Sequence, residues 1–390
     1  MLELREILAA VDEWYPPELA ESWDAPGLTC GDRAEPVDAV LLAVDAVPAT
    51  VAQAIDGGAQ LLLTHHPLLL RGVHGVPAEH PKGALVHRMI RAGVAHYAAH
   101  TNADAARPGV ADALADRLGL TGTRPLEPLP AEPLDKLVTF VPVADADRLL
   151  DALAAAGAGA IGDYDRCAWT TEGIGTFRPG TGAHPAIGRP GEIARVPETR
   201  LEIVLPRCRR DAVVAALRAA HPYEEVAFDV FEHAALPSER GAGRIGELGS
   251  ALTLRQFTAL AAAALPATSW GVRAAGDPDR PVRVVAVCGG AGGSLTDAAR
   301  QAGADAYLTA DLRHHPALEA VTERGPRAMA LVDAAHWATE APWLDVAARR
   351  LRDRFGAALR VEVSAHVTDP WSLHVPSTVP SAASPAVSAS

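Results

Sequence analysis

The sequence predicts an α/β protein made of two related α/β halves, with a ferredoxin-like α+β domain inserted between them. Three observations support this fold class. Short apolar runs alternate with helical patterns from Val37 to Leu120, a second series of the same kind starts near Pro281, and the segment 125–244 follows a different pattern. Because strands that alternate with helices are typical of βαβ units, each series predicts a parallel sheet.

The first half, residues 1–124, begins with a predicted amphipathic helix. In MLELREILAAVDEWYP, apolar residues recur at helical spacing between charged ones, which is not the pattern of a secretory signal. Strands are then predicted at VDAVLLAVDA, QLLLT and VAHYAAH. Helices are predicted at PATVAQAIDGG, KGALVHRMIRAG and GVADALADRLGL.

The predicted insert, residues 125–244, contains longer strands and two helices. LVTFVPVADADRLLDALAAAG predicts a strand and a helix, and TRLEIVLPRCRRDAVVAALRAAHPYEEVAFDVF predicts a strand, a helix and a strand. A stretch rich in glycine and proline, GIGTFRPGTGAHPAIGRPGE, separates the two. This order indicates a ferredoxin-like α+β domain.

The second half, residues 245–370, repeats features of the first. GAQLLLTHHPLL parallels GADAYLTADLRHHPAL, and GVAHYAAHTNADAA parallels RAMALVDAAHWATEA, which indicates a duplication. The predicted elements are strands at PVRVVAVCGG, ADAYLTAD, AMALVDAAH and LRVEVSAHV, and helices at SLTDAARQAG, PALEAVTERG and TEAPWLDVAARRLRDRFG. Residues 371–390, which end in PSTVPSAASPAVSAS, are predicted to be a disordered tail.

Composition excludes several classes of protein. The 390 residues are 49% hydrophobic and 21% charged, enough for more than one folded core, and the net charge of -13 disfavours nucleic-acid binding. Four scattered cysteines without a CxxC pair predict reduced thiols, not a disulfide framework or a cysteine zinc site. The uncharged stretch from Gln256 to Val272 is too polar for a bilayer, so we expect a cytoplasmic protein without a membrane span.

Four short motifs place imidazoles and carboxylates at predicted strand ends. They are THHP (His65, His66), HTNAD (His100, Asp104), TADLRHH (Asp311, His314) and HWATE (His336, Glu340). In an open parallel sheet, ligands bind outside the carboxyl ends of the strands. Imidazoles with carboxylates and no thiols suit Zn, Mn, Fe or Ni, and carboxylates can bridge two cations.

A structural explanation competes at each motif taken alone. A single histidine at a strand end is more often a hydrogen-bonded structural residue than a metal ligand. Adjacent His65 and His66 would project to opposite faces if the strand continued, but Pro67 ends it and could let both face one site. His336 and Glu340 are four residues apart, so one helical turn aims both the same way. The four motifs together favour a metal centre.

THHPLLL, HTNADAA, HPYEEVAFDV and AHWATE occur in this order, with a long insert between the second and the last. In these strings the chain resembles the Nif-three-like dinuclear metal-centre family, whose members are often labelled homologues of a type 2 GTP cyclohydrolase. The resemblance covers nearly the whole chain except the tail. HPYEEVAFDV, which lies in the insert, is similar to the PII-like middle domain of the family's longer members.

The resemblance implies that two divalent metal ions are bound by one set of side chains, with Glu340 bridging them and His100 close by. This implied ligand set is His65, His66, Asp104, His336 and Glu340. A homohexamer with sites facing an internal cavity is implied as well. One departure is visible, because SWDAPGLTCGD has Ala25 where the family usually has asparagine, which puts the role of a side-chain amide there in doubt.

Two classes of function fit these features. In the first, two metals support hydrolysis of a small nucleotide-like or phosphorylated substrate, with Asp311 or His314 as the general acid or base. In the second, the chain is a non-enzymatic metal-binding scaffold or regulator whose insert serves interaction or sensing. The discriminating feature is whether polar groups such as Asp311 and His314 converge on the metals with room for a substrate.

Three further features have a structural and a functional interpretation. CGGAGGSL, residues 288–295, could form a backbone nest for phosphate or a plain tight turn. Trp337 favours packing over stacking against a base. Four polar residues of the insert could bind a ligand, although a strand start with a solvated acidic pair is the simpler interpretation; they are His221, Tyr223, Glu224 and Glu225.

Overall fold

A computed structural model describes residues 2–322 and 328–375 of this mixed α/β chain. The chain forms two compact units, of which one contains the residues up to Leu129 and from Glu239 on, and the other is Pro130–Ser238. We call them the core unit and the inserted unit. The inserted unit is shorter than the predicted 125–244, because the residues at both predicted ends belong to strands of a core sheet.

The first part of the core unit carries seven strands and five helices within the described residues. In chain order they are β1 (Leu2–Glu3), α1 (Leu4–Trp14), β2 (Gly27–Cys30), β3 (Pro36–Val37), β4 (Ala39–Ala43), α2 (Pro48–Asp56), β5 (Leu61–Thr64), α3 (Pro81–Arg91), β6 (Ala95–Ala98), α4 (Thr101–Ala105), α5 (Val110–Arg117) and β7 (Thr121–Pro130). The strands β4, β5 and β6 are entirely buried, as expected for parallel strands covered on both faces.

The inserted unit contains four strands and two helices. They are β8 (Leu134–Pro142), α6 (Ala146–Ala155), β9 (Ala168–Phe177), β10 (Ala194–Pro206), α7 (Arg210–Ala220) and β11 (Phe228–Glu232). The strands form one antiparallel sheet in the order β11, β8, β10, β9. The two helices pack on one face of this sheet through leucine and valine side chains such as Leu149, Leu153, Val213 and Leu217.

The second part of the core unit follows. Its elements are β12 (Pro237–Thr253), α8 (Leu254–Ala264), β13 (Val272–Ala275), β14 (Pro281–Val287), α9 (Thr296–Gln301), β15 (Ala306–Ala310), α10 (His314–Thr322), β16 (Ala330–Ala334), α11 (His336–Phe355) and β17 (Arg360–Val363). Short 3₁₀ turns occur at Pro17–Leu19, Val143–Asp145, Arg207–Arg209, Gly293–Leu295 and Gly356–Ala358.

Two sheets form the centre of the core unit. One has the order β17, β4, β5, β6, β2, in which the first four strands are parallel, and the other has the order β13, β16, β15, β14, β12, β7, in which β14, β15 and β16 are parallel. One hydrophobic cluster takes side chains from both sheets, for example Leu63 of β5 and Leu308 of β15, and from α11 through the fully buried Trp343.

The sequence assigned the last strand to the wrong sheet. LRVEVSAHV was expected to continue the second series, but β17 pairs in parallel with β4 of the five-stranded sheet, and β7 from the first part of the chain joins the six-stranded sheet. The helix α11 precedes β17, and its 20 residues span about 30 Å, long enough to carry the chain from one sheet to the other. Apolar periodicity predicts a strand but not its partner.

Two helices that carry candidate site residues begin two to three residues before their predicted starts. α11 begins at His336 and not at Thr339, and α10 begins at His314 and not at Pro316. The end of the predicted helix at residues 323–325 and the predicted tail from residue 376 on lie outside the described residues. Within the described part of the chain, none of the helices combines the length and apolar character that a membrane span requires.

Candidate metal centre

The end of β5 supplies two histidines from one turn. The hydroxyl of Thr64 donates to the carbonyl oxygen of His66 at 2.7 Å, which closes the turn before Pro67. His65 is fully buried and donates from Nδ1 to the carbonyl oxygen of Ala99 at 2.9 Å. His66 donates from Nδ1 to Oδ1 of Asp45 at 2.7 Å, so both rings are fixed from behind and their Nε2 atoms are left for a ligand.

The end of the neighbouring strand β6 supplies His100 and Asp104. His100 donates from Nδ1 to Oδ1 of Asp24 at 2.7 Å, and the backbone N–H of Thr101 donates to Oδ2 of Asp24 at 3.0 Å. Asp104, in the short helix α4, has its Oδ1 3.8 Å from Nε2 of His65. The THHP and HTNAD motifs therefore meet because β5 and β6 are adjacent parallel strands.

The first turn of α11 brings His336 and Glu340 to the same place. Glu340 is buried, and its Oε1 lies 3.0 Å from Nε2 of His336 and 3.5 Å from Nε2 of His65. Its Oε2 lies 3.1 Å from Nε2 of His66. One carboxylate thus touches three imidazoles that come from both sheets.

Two groups of three side chains are close enough to hold a metal ion within the described ranges. One is His65, His66 and His100, the other is His66, His336 and Glu340, and in each group the ligand atoms lie within 4.8 Å of one another. Asp104 is in neither group but adjoins His65. Nε2 of His66 is also 3.3 Å from Nε2 of His336, a short approach for two imidazoles without a proton or a cation between them.

The electrostatics of the cluster also suit cations. Burial lowers the pKa of His66, but the charge of Glu340 and the hydrogen bond to Asp45 outweigh it and raise that pKa to about 11. Burial also lowers the pKa of His336, but the charge of Glu340 and the hydrogen bonds to Glu340 and Asp311 outweigh it and raise that pKa to about 9. Burial would raise the pKa of Glu340, but three histidines hold it well below its usual range. A buried carboxylate ringed by imidazoles is stable only with positive charge among them.

Two buried polar atoms at the centre test whether these residues fit a metal. Nε2 of His65 and Oε2 of Glu340 are inaccessible to solvent and make no hydrogen bond of good geometry within the described part of the chain. A buried polar atom without a partner costs about 1–3 kcal/mol, and metal coordination removes that cost. Imidazole and carboxylate donors fit Zn, Mn, Fe or Ni, so the residues present fit divalent metal ions.

A glycine turn closes the site from the second sheet. Gly290 follows β14 with φ +63°, and a Cβ there would overlap the carboxylate of Glu340 and press on the ring of His336. Its N–H donates to Oγ1 of Thr339 at 2.9 Å. CGGAGGSL therefore packs its backbone against the side chains of Glu340 and His336, which explains the need for glycine at this position.

Asp311 and His314, the residues suggested for proton transfer, lie in different surroundings. Asp311 has φ +56°, a left-handed conformation uncommon for a side-chain-bearing residue, and its Oδ2 accepts a hydrogen bond from Nδ1 of His336 at 2.7 Å. His314 begins α10, contacts the ring of His315 and lines a separate cavity with Arg273 and Asp333. The structure joins Asp311 to the cluster through His336 and places His314 in another pocket.

A cavity of about 250 Å³ adjoins the cluster. His66, His336 and Asp311 form one part of its wall, and Trp270 and Trp371, whose ring centroids are 5.8 Å apart, form another. Trp337, expected to be a packing residue, is mostly buried and also lines this cavity. The remaining polar lining comes from Asp45, Thr368 and Asp369.

Three residues of the site were missed from the sequence. Asp45 and Asp24 hold His66 and His100 by their Nδ1 atoms, and Gly290 packs on Glu340. Asp45 follows β4 at the same sheet edge as THHP, so its position at a strand end was an available signal. Asp24 stands in the motif SWDAPG, next to Ala25, and this motif contributes a carboxylate to the site.

Fold and site together define a class: an α/β protein with a histidine and carboxylate cluster able to hold metal ions at the ends of its parallel strands. The family model Duf34/NIF3, described as NGG1p interacting factor 3, matches residues 2–370. The chain therefore belongs to the Duf34/NIF3 family, and the resemblance drawn from its motifs is confirmed.

Curated relatives and solved structures agree with this assignment. A "GTP cyclohydrolase 1 type 2 homolog" of Mycobacterium tuberculosis is 52% identical over 373 residues, covering 95% of this chain and 97% of that protein. The Bacillus subtilis protein of the same name is 38% identical over 334 residues, covering 86% and 88%. A Bacillus cereus protein related to NIF3 has a TM-score of 0.75 at 36% identity, covering 95% of this chain and 98% of that one.

Proposed function

We propose that this chain is a dinuclear metal protein that hydrolyses a small nucleotide-like or phosphorylated substrate. The residues that would hold the ions are His65, His66, Asp104, His336 and Glu340, with His100 beside them. One observation carries the proposal: four histidines are each held at Nδ1 by a carboxylate or a carbonyl oxygen, and three of them surround one buried carboxylate. Metal-binding histidines characteristically have such partners, which fix the tautomer and the ring.

Zn, Mn, Fe and Ni all suit this donor set. When bound, divalent ions supply activation of water and polarisation of a substrate oxygen. The chain's own residues then have three tasks. Asp45, Asp24 and Asp311 orient the ligand rings, Glu340 balances positive charge, and the buried walls around His65 exclude water from one side.

Proton transfer is assigned to Asp311, with His314 as the second candidate. Oδ2 of Asp311 is occupied by His336, but the side chain is 54% exposed and lines the cavity beside the cluster, so its other oxygen can reach a substrate or a water. His314 would have to act from the separate pocket that it lines with Arg273. Asp311 is therefore the stronger of the two.

The adjoining cavity supports a substrate with a flat ring. Trp270 and Trp371 offer aromatic surface, and Asp369 offers a carboxylate that could accept hydrogen bonds from ring substituents. The names of the relatives, GTP cyclohydrolase 1 type 2 homologs, point to the same substrate class. A phosphorylated end would lie toward the metal ligands, because the lining of this cavity is otherwise acidic.

A second function, a metal-binding scaffold or regulator without catalysis, has one observation in its favour. A cavity of about 720 Å³ belongs to the inserted unit and is lined by none of the proposed metal ligands. A protein whose inserted unit senses a ligand would have such a cavity. Catalysis by the metal centre is not needed for that role.

Several finer assignments stay part of this proposal. The order β-α-β-β-α-β in the inserted unit, Pro130–Ser238, supports a ferredoxin-like, PII-like domain between two related halves. A homohexamer and a cytoplasmic location are expected from the family resemblance and the composition.

Metal analysis of freshly purified, chelator-free protein tests the proposal first. About two divalent ions per chain are expected from a cluster with ligands for two. A screen of nucleotides and phosphoesters with the identified metal restored then tests hydrolysis. Protein without metal would refute the dinuclear site, and a loaded protein inactive on every substrate would favour the scaffold.

A further inference from the structure

We infer that the inserted unit carries a second binding site, which takes a small organic amine with an aromatic or apolar body. The site lies on the sheet face opposite α6 and α7. Register places Phe140 of β8, Glu198 and Arg200 of β10, and Gly173 and Gly175 of β9 on this face, while Leu137, Leu201 and Ile203 point to the helices. We call it the open face.

Two glycines leave room on the open face. Gly173 and Gly175 are two residues apart on the edge strand β9, so neither gives a side chain to the face they share. Both glycines line a cavity of about 720 Å³, large enough for a drug-sized molecule; the space over Gly173 is open, and the space over Gly175 holds the carboxylate of Glu198. Glycine inside a strand weakens it and often marks a place where a ligand approaches closely.

A buried carboxylate stands in the floor of the cavity. Glu198 is only 8% exposed, and the hydroxyl of Tyr223 donates to its Oε1 at 2.7 Å. Its carboxylate lies directly over Gly175, where a Cβ would overlap it. The glycine thus makes space for the carboxylate, and the tyrosine fixes its orientation. A buried charge held in this way requires a positive partner to offset the cost of burial.

The rest of the wall has the same chemistry. Four glutamates and two arginines line the cavity. One of the arginines, Arg200, is paired with Glu202 at 3.0 Å and lies over the ring of Phe140. Phe177 and Tyr223 meet edge to face with centroids 5.7 Å apart. Carboxylates combined with aromatic rings recognise organic cations through charge and cation–π contacts.

The motif HPYEEV gains a role from this arrangement. Tyr223, Glu224 and Glu225 line the cavity, and Nε2 of His221 donates to the carbonyl oxygen of Phe140 at 3.0 Å, which fixes the segment at the edge of the open face. The acidic pair is exposed, as expected of a solvated pair, and it also forms part of the rim of a cavity whose floor carries a buried glutamate.

Titration calorimetry of the full-length protein tests the site with tryptamine and indolepropionate, which share a ring but carry opposite charges. Tryptamine should bind at one site per chain, at least about tenfold tighter than indolepropionate. Glu198→Gln keeps an acceptor for Tyr223 but removes the charge, and should weaken tryptamine binding about tenfold or more. Asp229→Asn, which removes a charge outside the cavity, is the matched control and should change binding less than about twofold.

A filled cavity provides the second test. The space over Gly173 is open, since a Cβ there meets nothing within 4 Å, so Gly173→Phe should occupy the cavity and abolish tryptamine binding in a folded protein. Equal affinity for the amine and the carboxylate, no binding of tryptamine at millimolar concentration, or equal effects of Glu198→Gln and Asp229→Asn would each overturn the proposal. Metal content, measured in parallel, should be the same in all variants.

Discussion

Histidines from the five-stranded sheet and from the six-stranded sheet meet in one cluster but are held differently. His65, after β5, is fully buried and bonded to a backbone carbonyl. His336, after β16, has a side chain that is 30% exposed and is bonded to Asp311, which is 54% exposed. His65 thus provides a dry, rigid side of the site, whereas His66 of the same sheet is 24% exposed and lines the adjoining cavity. His336 lines the same cavity, which is the side from which a substrate could approach.

This difference separates two requirements of a metal enzyme. Fixed ligands lower the cost of ordering the site, and an accessible side leaves coordination positions for substrate. Glu340 belongs to both sides, because its two oxygens face histidines from both sheets. The following predictions test this division, beginning with the residue that joins the sides.

Glu340→Gln should have the largest effect. The amide keeps the size of the side chain but removes the charge that three imidazoles surround, so bound metal is expected to fall from about two ions per chain to near zero. Elemental analysis of purified protein measures this. Glu319→Gln, at an exposed position of α10, is the matched control. A variant that retained one ion would show that the two sides bind metal independently.

The cluster could be predicted from sequence to the extent that its motifs stand at strand ends. THHP, HTNAD and HWATE meet because parallel strands in each sheet end at a common edge. Asp45 also follows a strand, but a single aspartate or glycine after a strand commonly serves an ordinary turn, so neither the role of Asp45 nor that of Gly290 within CGGAGGSL could be assigned from the sequence. The sequence also could not predict that β17 pairs with β4, since strand pairing depends on tertiary packing and not on local pattern.

Asp311→Asn compared with Asp45→Asn separates proton transfer from ring orientation. Both aspartates accept a hydrogen bond from Nδ1 of a histidine that we propose as a ligand, at 2.7 Å, so both variants should lower metal affinity, by about 10–100-fold. With metal saturating, Asp311→Asn should still lower any hydrolytic activity about a hundredfold, because the base is gone. With metal saturating, Asp45→Asn should recover most of the wild-type activity, because it removes a partner that orients His66 and not the base.

Equilibrium dialysis and initial rates at rising metal concentration give the two readouts. If both variants recover alike, Asp311 only positions His336 and another group moves the proton. If Asp311→Asn cannot be loaded at any metal concentration, this residue is a ligand and the proposed set is incomplete.

His65→Asn and His336→Asn should differ in stability once metal is removed. In chelator, loss of the buried His65 leaves the carbonyl of Ala99 without its donor and should cost about 1–3 kcal/mol of unfolding free energy. His336 is partly exposed, and its loss should cost less than about 1 kcal/mol. Urea unfolding measures both. Equal losses of unfolding free energy in the two variants would contradict the difference between a rigid, buried side and an open side of the site.

His96 is a buried histidine of the five-stranded sheet that lies outside the cluster. Its effect on the pH dependence of stability shows what burial does to a histidine that no carboxylate of the described residues faces. His96 of β6 is fully buried and contacts the hydroxyl of Thr64 at 2.9 Å through Nε2, and burial lowers its pKa to about 4. In the unfolded chain its pKa is about 6.5. Between pH 6.5 and pH 4 this histidine is protonated in the unfolded chain but neutral in the folded chain. The unfolding free energy therefore falls as pH falls, by up to about 1.4 kcal/mol per pH unit.

Removing His96 should therefore remove one component of the acid sensitivity. We expect the unfolding free energy of the wild type to fall by about 1 kcal/mol more than that of His96→Gln between pH 7 and pH 5.5, with chelator present. Comparing the two proteins cancels the titration of the cluster histidines, which both retain. Parallel pH profiles would mean that His96 is protonated in the folded state, and that burial in this sheet does not by itself keep a histidine neutral. The expected divergence would show that the cluster histidines differ from His96 because carboxylates face them.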